Sequence, residues 1–307
     1  MGKITHKKIH LDGNQVQEIC MLLPMFIGFL LFTIYPVLWA VRWAWFDYKG
    51  YGTPIFVGLD NFVRAFSRDS SFWLSLANTF FLAFWKLIIE MPLAIILAYL
   101  INDKVKGRSF FRIAYFMPTV LSVAVIGVVF TILFSAYNGI ANAALMQLNI
   151  ITKNVDWFQN RWLALSVMLT VSLWTTFGLN MMYFLMALQN IPKDLYDCAM
   201  IDGASGTKKF FYITLPLLAP TMQIVFMLSM LGTMRITDLV LVMTNGQPGG
   251  STEVAMTYIF KLFFQYGDAQ SMNQFGYGSA LTLIVAFFLA IITTVYLRVS
   301  KKMKEIY

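Results

Sequence analysis

Two long apolar segments of the chain each carry a row of small polar side chains. The members of each row recur at helical spacing, so each row falls on one face of a helix. Within lipid, such a row either hydrogen-bonds to neighbouring helices or lines a water-filled passage for a polar solute. The first row comprises Ser172, Thr175, Thr176, Asn180 and Tyr183, and the second comprises Ser229, Gly232, Thr233, Ile236 and Thr237.

A third apolar segment contains two charged residues, Lys86 and Glu90. Each charge costs about 2.5 to 3.5 kcal/mol at the middle of a bilayer, so both need partners. Their i, i+4 spacing places them on one helical face, where they can neutralise each other against protein. The alternative is that they contact a polar transport path.

Residue patterns that support enzymatic chemistry are missing from the sequence. No G-x-x-x-x-G-K-[ST] phosphate loop occurs, since Lys208 does not directly follow the second glycine of residues 203–206. His6 and His10 lie near the N-terminus, far from any clustered carboxylate or cysteine. We therefore expect no catalytic residue, no metal site and no ATP hydrolysis by this chain.

The composition is that of an integral membrane protein. Of the 307 residues, 59% are hydrophobic and 12% are charged, too few charges to cover a water-soluble globule. A net charge of +8 would suit a nucleic acid, but the basic residues lie in short groups beside apolar segments. That distribution is typical of signals for membrane orientation, and we expect no nucleic-acid partner.

Charge-poor runs long enough to cross about 30 Å of hydrocarbon predict six transmembrane helices. The first follows a basic tail, but it is too long for a cleaved signal peptide and lacks a small-residue cleavage site, so we expect it to be retained. The runs are residues 19–41, 72–102, 113–134, 162–192, 210–234 and 278–297, within a membrane domain at 19–297 and between polar tails at 1–18 and 298–307.

Lys and Arg residues predict the orientation of these spans. With an even number of spans both termini lie on one side, and that side also receives the loops near residues 103–112 and 190–216. These four segments hold most of the 23 Lys and Arg residues, which predicts that they are cytoplasmic. Cys20 and Cys198 then face the reducing side of the membrane, so we expect no disulfide.

The loop at residues 190–216 is more elaborate than a simple connector. It opens with Pro192, has acids in the first turn of a short amphipathic helix predicted over residues 194–206, and breaks at Gly203 and Gly206. Lys208 and Lys209 then precede the next apolar run. These features predict a small helix held at the membrane surface.

The same loop resembles the EAA loop of membrane permeases of ATP-binding-cassette importers. The match consists of Asp197-Cys198-Ala199, Gly203 at the expected offset, and Ile213-Thr214-Leu215-Pro216, with Asp replacing Glu and Cys replacing Ala in the leading triplet. The TNGQPGGSTE stretch at residues 244–253 resembles a pattern of the carbohydrate-importer branch. The FVGLDNF stretch at 56–62, followed by Asn78-Thr79, fits the same branch.

This resemblance implies an all-α, type I permease fold with six spans and a cytoplasmic coupling helix. It implies half of the translocation pathway of an ATP-driven, binding-protein-dependent sugar importer in a bacterial or archaeal cytoplasmic membrane. The implied partners are a second, homologous permease in a heterodimer, an extracytoplasmic sugar-binding protein, and two cytoplasmic ATPase subunits. The ATPase subunits bind ATP and Mg, and this chain itself binds no cofactor.

The resemblance also assigns roles to residues. The fourth and fifth spans of such permeases hold the sugar near mid-membrane, which makes the two polar rows the candidate substrate path. The coupling helix docks in a groove of the ATPase, with Leu195, Cys198, Ala199 and either Met200 or Ile201 forming its buried stripe. The candidate coupling residues are Asp194, Leu195, Asp197, Cys198, Ala199, Ile201 and Gly203.

An ion-gradient-driven secondary transporter or channel is the alternative function. Such proteins commonly show inverted repeats, broken helices and carboxylates near the membrane midplane. The sequence has no convincing internal repeat, and Glu90 is its sole mid-span carboxylate. The importer is therefore the favoured prediction.

Overall fold

A computed structural model describes residues 13–102, 106–264 and 273–304 of the chain. Apart from short turns and one two-stranded antiparallel hairpin, these residues are helical. The α-helices are Gly13–Phe29, Tyr35–Arg42, Asp60–Ser67, Ser70–Asn102, Arg108–Val120, Val123–Leu133, Ile140–Gln147, Arg161–Gln189, Lys193–Ile201, Gly206–Lys209, Leu215–Met234, Asp238–Met243, Ala255–Phe263 and Phe275–Lys304; Leu30–Ile34 and Phe210–Thr214 are π-helical turns, Trp43–Trp45 is a 3-10 turn, and the strands are Phe46–Asp47 and Ile55–Phe56.

Within the described ranges, five helical segments are long and apolar enough to cross a membrane. They coincide with five of the six predicted spans, because an uninterrupted apolar run in lipid has no alternative to an intrahelical hydrogen-bond ladder. We number them by the predicted spans that they match. The first is Cys20–Trp45, the second Ser70–Asn102, the fourth Arg161–Gln189, the fifth Gly206–Met234 and the sixth Phe275–Lys301.

The third predicted span, residues 113–134, is not one straight helix. It consists of Arg108–Val120 and Val123–Leu133, whose axes are bent by 98°. Pro118 lies in the last turn of the first helix, and Leu121 and Ser122 are extended, so the hydrogen-bond ladder stops between the two helices. Counted as one broken span, the pair completes the six spans that the sequence predicts, and the all-α class is confirmed.

Helical structure extends into both predicted polar tails. Helix begins at Gly13, before the predicted start of the first span, and the last helix continues to Lys304. The predicted tail residues 1–12 and 305–307, including both histidines, lie outside the described residues.

The second, fourth and fifth spans form the centre of the described bundle. Ala94 and Ala98 of the second span are fully buried beside Met181 and Phe184 of the fourth, and Leu218 of the fifth joins the same core. Small residues permit the close helix approach that lipid itself does not drive. A Cβ atom on Gly178 of the fourth span would lie 1.8 Å from the Tyr115 carbonyl oxygen, so close packing against the third span requires glycine there.

The first span contrasts with this core. Its most apolar window is 0% buried, against 22% to 44% for the other four. Its C-terminal end does touch the bundle, since Trp43 and Ala44 are buried and the Asn61 amide donates to the carbonyl oxygens of Ala44 and Phe46. The rest of the first span has no buried residue from Cys20 to Arg42.

The stretch at residues 244–253 folds into a closed loop at the end of the fifth span. The Thr252 hydroxyl donates to Thr244 Oγ1 at 2.9 Å, and Glu253 forms a 2.5 Å salt bridge with Lys261. Gly246 has a φ of +81°, and a Cβ atom there would lie 2.1 Å from a Glu253 carboxylate oxygen. Both glycine and glutamate are therefore required by this local geometry.

Asn78 anchors that loop to the second span. Its side-chain amide donates to the carbonyl oxygens of Ser251 at 2.8 Å and Glu253 at 2.6 Å, while its oxygen accepts from the Arg161 guanidinium. The Asn78-Thr79 and TNGQPGGSTE stretches, far apart in sequence, thus meet in one hydrogen-bonded junction.

The orientation predicted from Lys and Arg is tested by cysteine accessibility in right-side-out vesicles. Thr152 is exposed in the loop predicted to be external, so Thr152→Cys, in a background with both native cysteines changed to alanine, should react with an impermeant maleimide. Cys198 is exposed in the loop predicted to be cytoplasmic; in a Cys20→Ala background it should react only after permeabilisation. The opposite labelling pattern would reverse the orientation.

Candidate functional site

A cavity of about 460 Å³ lies between the second, fourth and fifth spans. Every member of the two polar rows that the sequence singles out lines it, so the rows face each other. The lining residues are Lys86, Val123, Ser172, Thr175, Thr176, Leu179, Asn180, Tyr183, Leu228, Ser229, Gly232, Thr233, Arg235, Ile236, Thr237, Asp238 and Leu239. Its volume lies in the range of about 300 to 1,000 Å³ that is usual for small-molecule sites.

Glu90 ties three spans together beneath this surface. The side chain has 0% exposure, and its two carboxylate oxygens accept hydrogen bonds from Thr176 Oγ1 of the fourth span and Ser229 Oγ of the fifth. One member of each polar row is therefore engaged by a buried carboxylate. Charge-assisted hydrogen bonds are the interactions that make such burial tolerable.

Lys86 has different surroundings from Glu90. Like Glu90 it is buried, as the neutralising-pair interpretation expects, but the two side chains form no salt bridge. Lys86 lines the cavity, whereas Glu90 does not. The sequence spacing placed the two residues on one helical face without revealing that Glu90 bonds to the fourth and fifth spans whereas Lys86 lines the cavity.

The hydroxyl groups of the two polar rows form hydrogen bonds within their own helices as well as lining the cavity. Thr175 donates to the Ser172 carbonyl, and Thr233 donates to the Ser229 carbonyl, so each hydroxyl proton is used within its own helix. Their oxygen lone pairs are still free to accept. Asn180 is buried and lines the cavity, but its side-chain amide has no hydrogen-bond partner among the described residues.

Two charged lining residues were not singled out from the sequence. Arg235 and Asp238 follow the fifth span and are exposed at the cavity. They were assigned to an external loop because the charge-free run ends at Met234. No helical spacing identifies them, because the helix of the fifth span ends at Met234 and the next helix begins only at Asp238. Within the described residues, no cluster of three or more potential ligands could hold a metal ion.

The helix Lys193–Ile201, here termed the loop helix, lies in the segment between the fourth and fifth spans. It is shorter than the predicted 194–206 helix because Gly203 adopts a φ of +74° and the Ala204 amide turns back to the Ala199 carbonyl. Ser205 then caps a second short helix, Gly206–Lys209. The Tyr196 hydroxyl lies 2.9 Å from Thr214 Oγ1 and ties the loop helix to the fifth span.

The candidate coupling residues lie on the loop helix and the turn after it. None of the nine helix residues is buried. Ile201 is 86% exposed, and Met200 and Leu195 are also exposed, so this apolar stripe has no cover within the chain. Asp194, Asp197, Cys198 and Gly203 are likewise exposed, while Ala199 is half-buried.

The Glu90 junction generates a stability prediction. Ser229→Ala and Thr176→Ala each remove one donor from a fully buried carboxylate, which should lower the free energy of unfolding by about 1 to 3 kcal/mol. Thermal unfolding of the purified chain in detergent would measure the shift. Ser166→Ala is the matched control, because Ser166 lies exposed on the same fourth span and bonds only within its own helix. Equal midpoints for all three variants would contradict the junction.

Known proteins share this architecture. A crystal structure of a bacterial alginate ABC transporter, in complex with an alginate pentasaccharide-bound periplasmic protein, matches with a TM-score of 0.80 at 23% identity over 94% of this chain and 96% of that one. The arabinooligosaccharides transport system permease protein AraP of Bacillus subtilis (strain 168) is 32% identical over 92% of this chain and 87% of AraP. The trehalose/maltose transport system permease protein MalF of Thermococcus litoralis is 30% identical over 92% of each chain.

The model of one protein family matches residues 90–305, and its description is binding-protein-dependent transport system inner membrane component. This match covers the fourth and fifth spans, the loop helix, the closed loop at residues 244–253 and the last part of the second span from Glu90 onward. It favours the importer prediction over the ion-gradient alternative, and it confirms the resemblance first drawn from the EAA-like loop. The chain is therefore a multi-pass membrane protein that belongs to the family of binding-protein-dependent transport system inner membrane components.

Proposed function

We propose that this chain is one of two permease subunits of an ATP-driven oligosaccharide importer, and that the cavity is its share of the sugar path. The observation that carries the proposal is the convergence of both polar rows on one cavity between three spans. Neutral hydroxyl and amide groups suit sugar hydroxyls, which both donate and accept. Relatives named for arabinooligosaccharides and for trehalose and maltose support the substrate class.

A second, homologous permease is the partner that this chain requires. The first span is apolar along its length and unburied over most of it, although the described residues contain four other membrane-length helical segments. The cavity is also open to one side rather than enclosed by this chain. A partner subunit would cover both surfaces and complete the passage.

Two cytoplasmic ATPase subunits, which bind the ATP and Mg, would dock on the loop helix of each permease. An exposed apolar stripe on a short helix is the kind of surface that fits a groove on another protein. The acid Asp194 in the first turn also suits the positive end of that helix. The excess of Lys and Arg on the two termini and on this loop supports a cytoplasmic location for both termini and for the loop.

On the opposite side, an extracytoplasmic sugar-binding protein would deliver the substrate. The closed loop at residues 244–253 follows the short helix Asp238–Met243, whose first two residues line the cavity, so its hydrogen-bonded structure suits a docking platform near the cavity. The setting is the cytoplasmic membrane of a bacterium or archaeon.

The coupling role predicts that changes on the loop helix separate uptake from folding. Ile201→Glu and Gly203→Asp should lower sugar uptake by the reconstituted complex about tenfold or more, since a buried apolar anchor at an interface is worth on the order of 2 kcal/mol. The thermal midpoint of Ile201→Glu should stay unchanged because Ile201 is exposed, whereas Gly203→Asp should lower it slightly because Gly203 has a φ of +74°. Ile150→Glu, at a 65% exposed isoleucine in the predicted external loop, is the control. Wild-type uptake in both loop-helix variants would refute docking.

The sugar path predicts a different pattern for the cavity. Asn180→Leu and Thr233→Leu remove hydrogen-bonding groups from its wall and should reduce uptake about tenfold, equivalent to about 1.4 kcal/mol, while ATP hydrolysis stimulated by the loaded binding protein is retained. Thr170→Leu is the matched control, since Thr170 lies exposed on the same fourth span and outside the cavity. Unchanged uptake in both cavity variants would assign the rows to helix packing alone.

A further inference from the structure

The loop helix presents opposite sides to this chain and to a partner. Tyr196 and Ala199, three residues apart on one side, are its half-buried residues. Ile201 is 86% exposed and lies about 140° around the helix from Tyr196, given 3.6 residues per turn. A partner that docks on Ile201 therefore acts on the rest of this chain through the side that carries Tyr196.

Two routes connect the loop helix with the helix Leu215–Met234, the main α-helical part of the fifth span. The backbone route runs through Gly203, which has a φ of +74°, through the short helix Gly206–Lys209 and through the π-helical turn Phe210–Thr214. Glycines and π-helical turns are points at which a backbone bends readily. A displacement of the loop helix is therefore absorbed along this route.

The second route is a hydrogen bond that bypasses these bends. The Tyr196 hydroxyl lies 2.9 Å from Thr214 Oγ1, and Thr214 is the last residue of the π-helical turn. The Thr214 hydroxyl donates to the Lys209 carbonyl oxygen at 3.4 Å, so its own oxygen accepts from Tyr196. Thr214 is also 0% exposed, which fixes the accepting end of the bond within the bundle.

Thr214 begins the buried side of the fifth span, and this side continues to the cavity. Leu218, Val225 and Ser229 follow it at helical spacing, and all three are buried. Ser229 lines the cavity and lies about 22 Å along the span from Thr214, at 1.5 Å per residue. One side of the fifth span therefore links the loop helix to the cavity wall.

We propose that Tyr196 is a positioning residue for transport, because its hydrogen bond to Thr214 makes the fifth span follow the loop helix when the ATPase moves that helix. The inference rests on the proposed function and adds the residue pair through which the loop helix acts on the cavity. A tyrosine side chain has only two torsions, so the hydroxyl at its tip transmits a displacement with little slack. Without the bond, the loop helix still docks on the ATPase, but its displacement is lost in the glycine and π-helical bends.

The test measures sugar uptake and ATP hydrolysis in the same proteoliposomes, which contain the complete complex and its binding protein. Labelled maltose and labelled arabinotriose are the probes. Tyr196→Phe and Thr214→Val each remove the bond, so each should lower the number of sugars taken up per ATP about fivefold, equivalent to about 1 kcal/mol. The double variant should show the same fivefold loss, because all three variants lack one and the same bond.

Two further variants separate the hydrogen bond from other effects of substitution. Thr214→Ser keeps the accepting hydroxyl and should retain the wild-type number of sugars per ATP. Tyr212→Phe is the matched control, since Tyr212 lies in the same π-helical turn and is 80% exposed. Should Thr214→Val fail to assemble, Tyr196→Phe still decides, because Tyr196 is only half-buried.

An unchanged number of sugars per ATP in Tyr196→Phe would overturn the proposal, as would losses that multiply in the double variant. Equal losses of uptake and ATP hydrolysis would also overturn it, because they indicate a role in assembly alone. Failure of the proposed function gives a different result. A wild-type complex that hydrolyses ATP but takes up neither sugar would contradict that function, and this inference with it.

Discussion

A carboxyl group with no solvent exposure inside a membrane needs hydrogen-bond partners within the protein, and Glu90 takes its partners from two other spans. These two bonds constrain the rotation of the fourth and fifth spans about their axes. With Thr176 and Ser229 held at Glu90, the other members of their rows lie on the same side and line one cavity.

A second carboxylate plays the equivalent part in the loop at residues 244–253. Glu253 accepts from Thr257 and from Lys261, whose ammonium also donates to the Asn245 carbonyl at 2.7 Å. Nearby, Asp69 accepts from the Tyr258 hydroxyl at 2.9 Å; burial, reinforced by this bond, raises the pKa of Tyr258 above its usual range, so the phenol stays protonated and continues to donate. Polar junctions thus fix the loops, while apolar contacts fill the spans.

Helical spacing and apolar run length sufficed to predict the rows, five spans and the loop helix, because these features depend on residues close in sequence. The failures required information from distant residues. Lys86, four positions from Glu90, was the partner that the local spacing suggested for Glu90. The hydroxyl groups that donate to Glu90 belong instead to Thr176 and Ser229, which lie 86 and 139 positions away from it. The 98° bend falls in a uniformly apolar run, where neither Pro118 nor Ser122 alone distinguishes a kink from a break. Arg235 and Asp238 were not identified from the sequence, because charged residues that follow an apolar run were assigned to a loop.

The 98° bend in the third span affects how well this subunit insulates the membrane against ions. Between Val120 and Val123 the backbone leaves the helical ladder, and Ser122 supplies no side-chain cap to the amides that begin the next helix. Uncapped amides persist at membrane depth only beside protein acceptors or water, and Val123 lies on the cavity wall. Water in that cavity would replace part of the insulating hydrocarbon and would make the barrier to ions thinner at this subunit than in the surrounding lipid. The seal against ion leakage then depends on the few side chains between the cavity floor and the far side of the membrane.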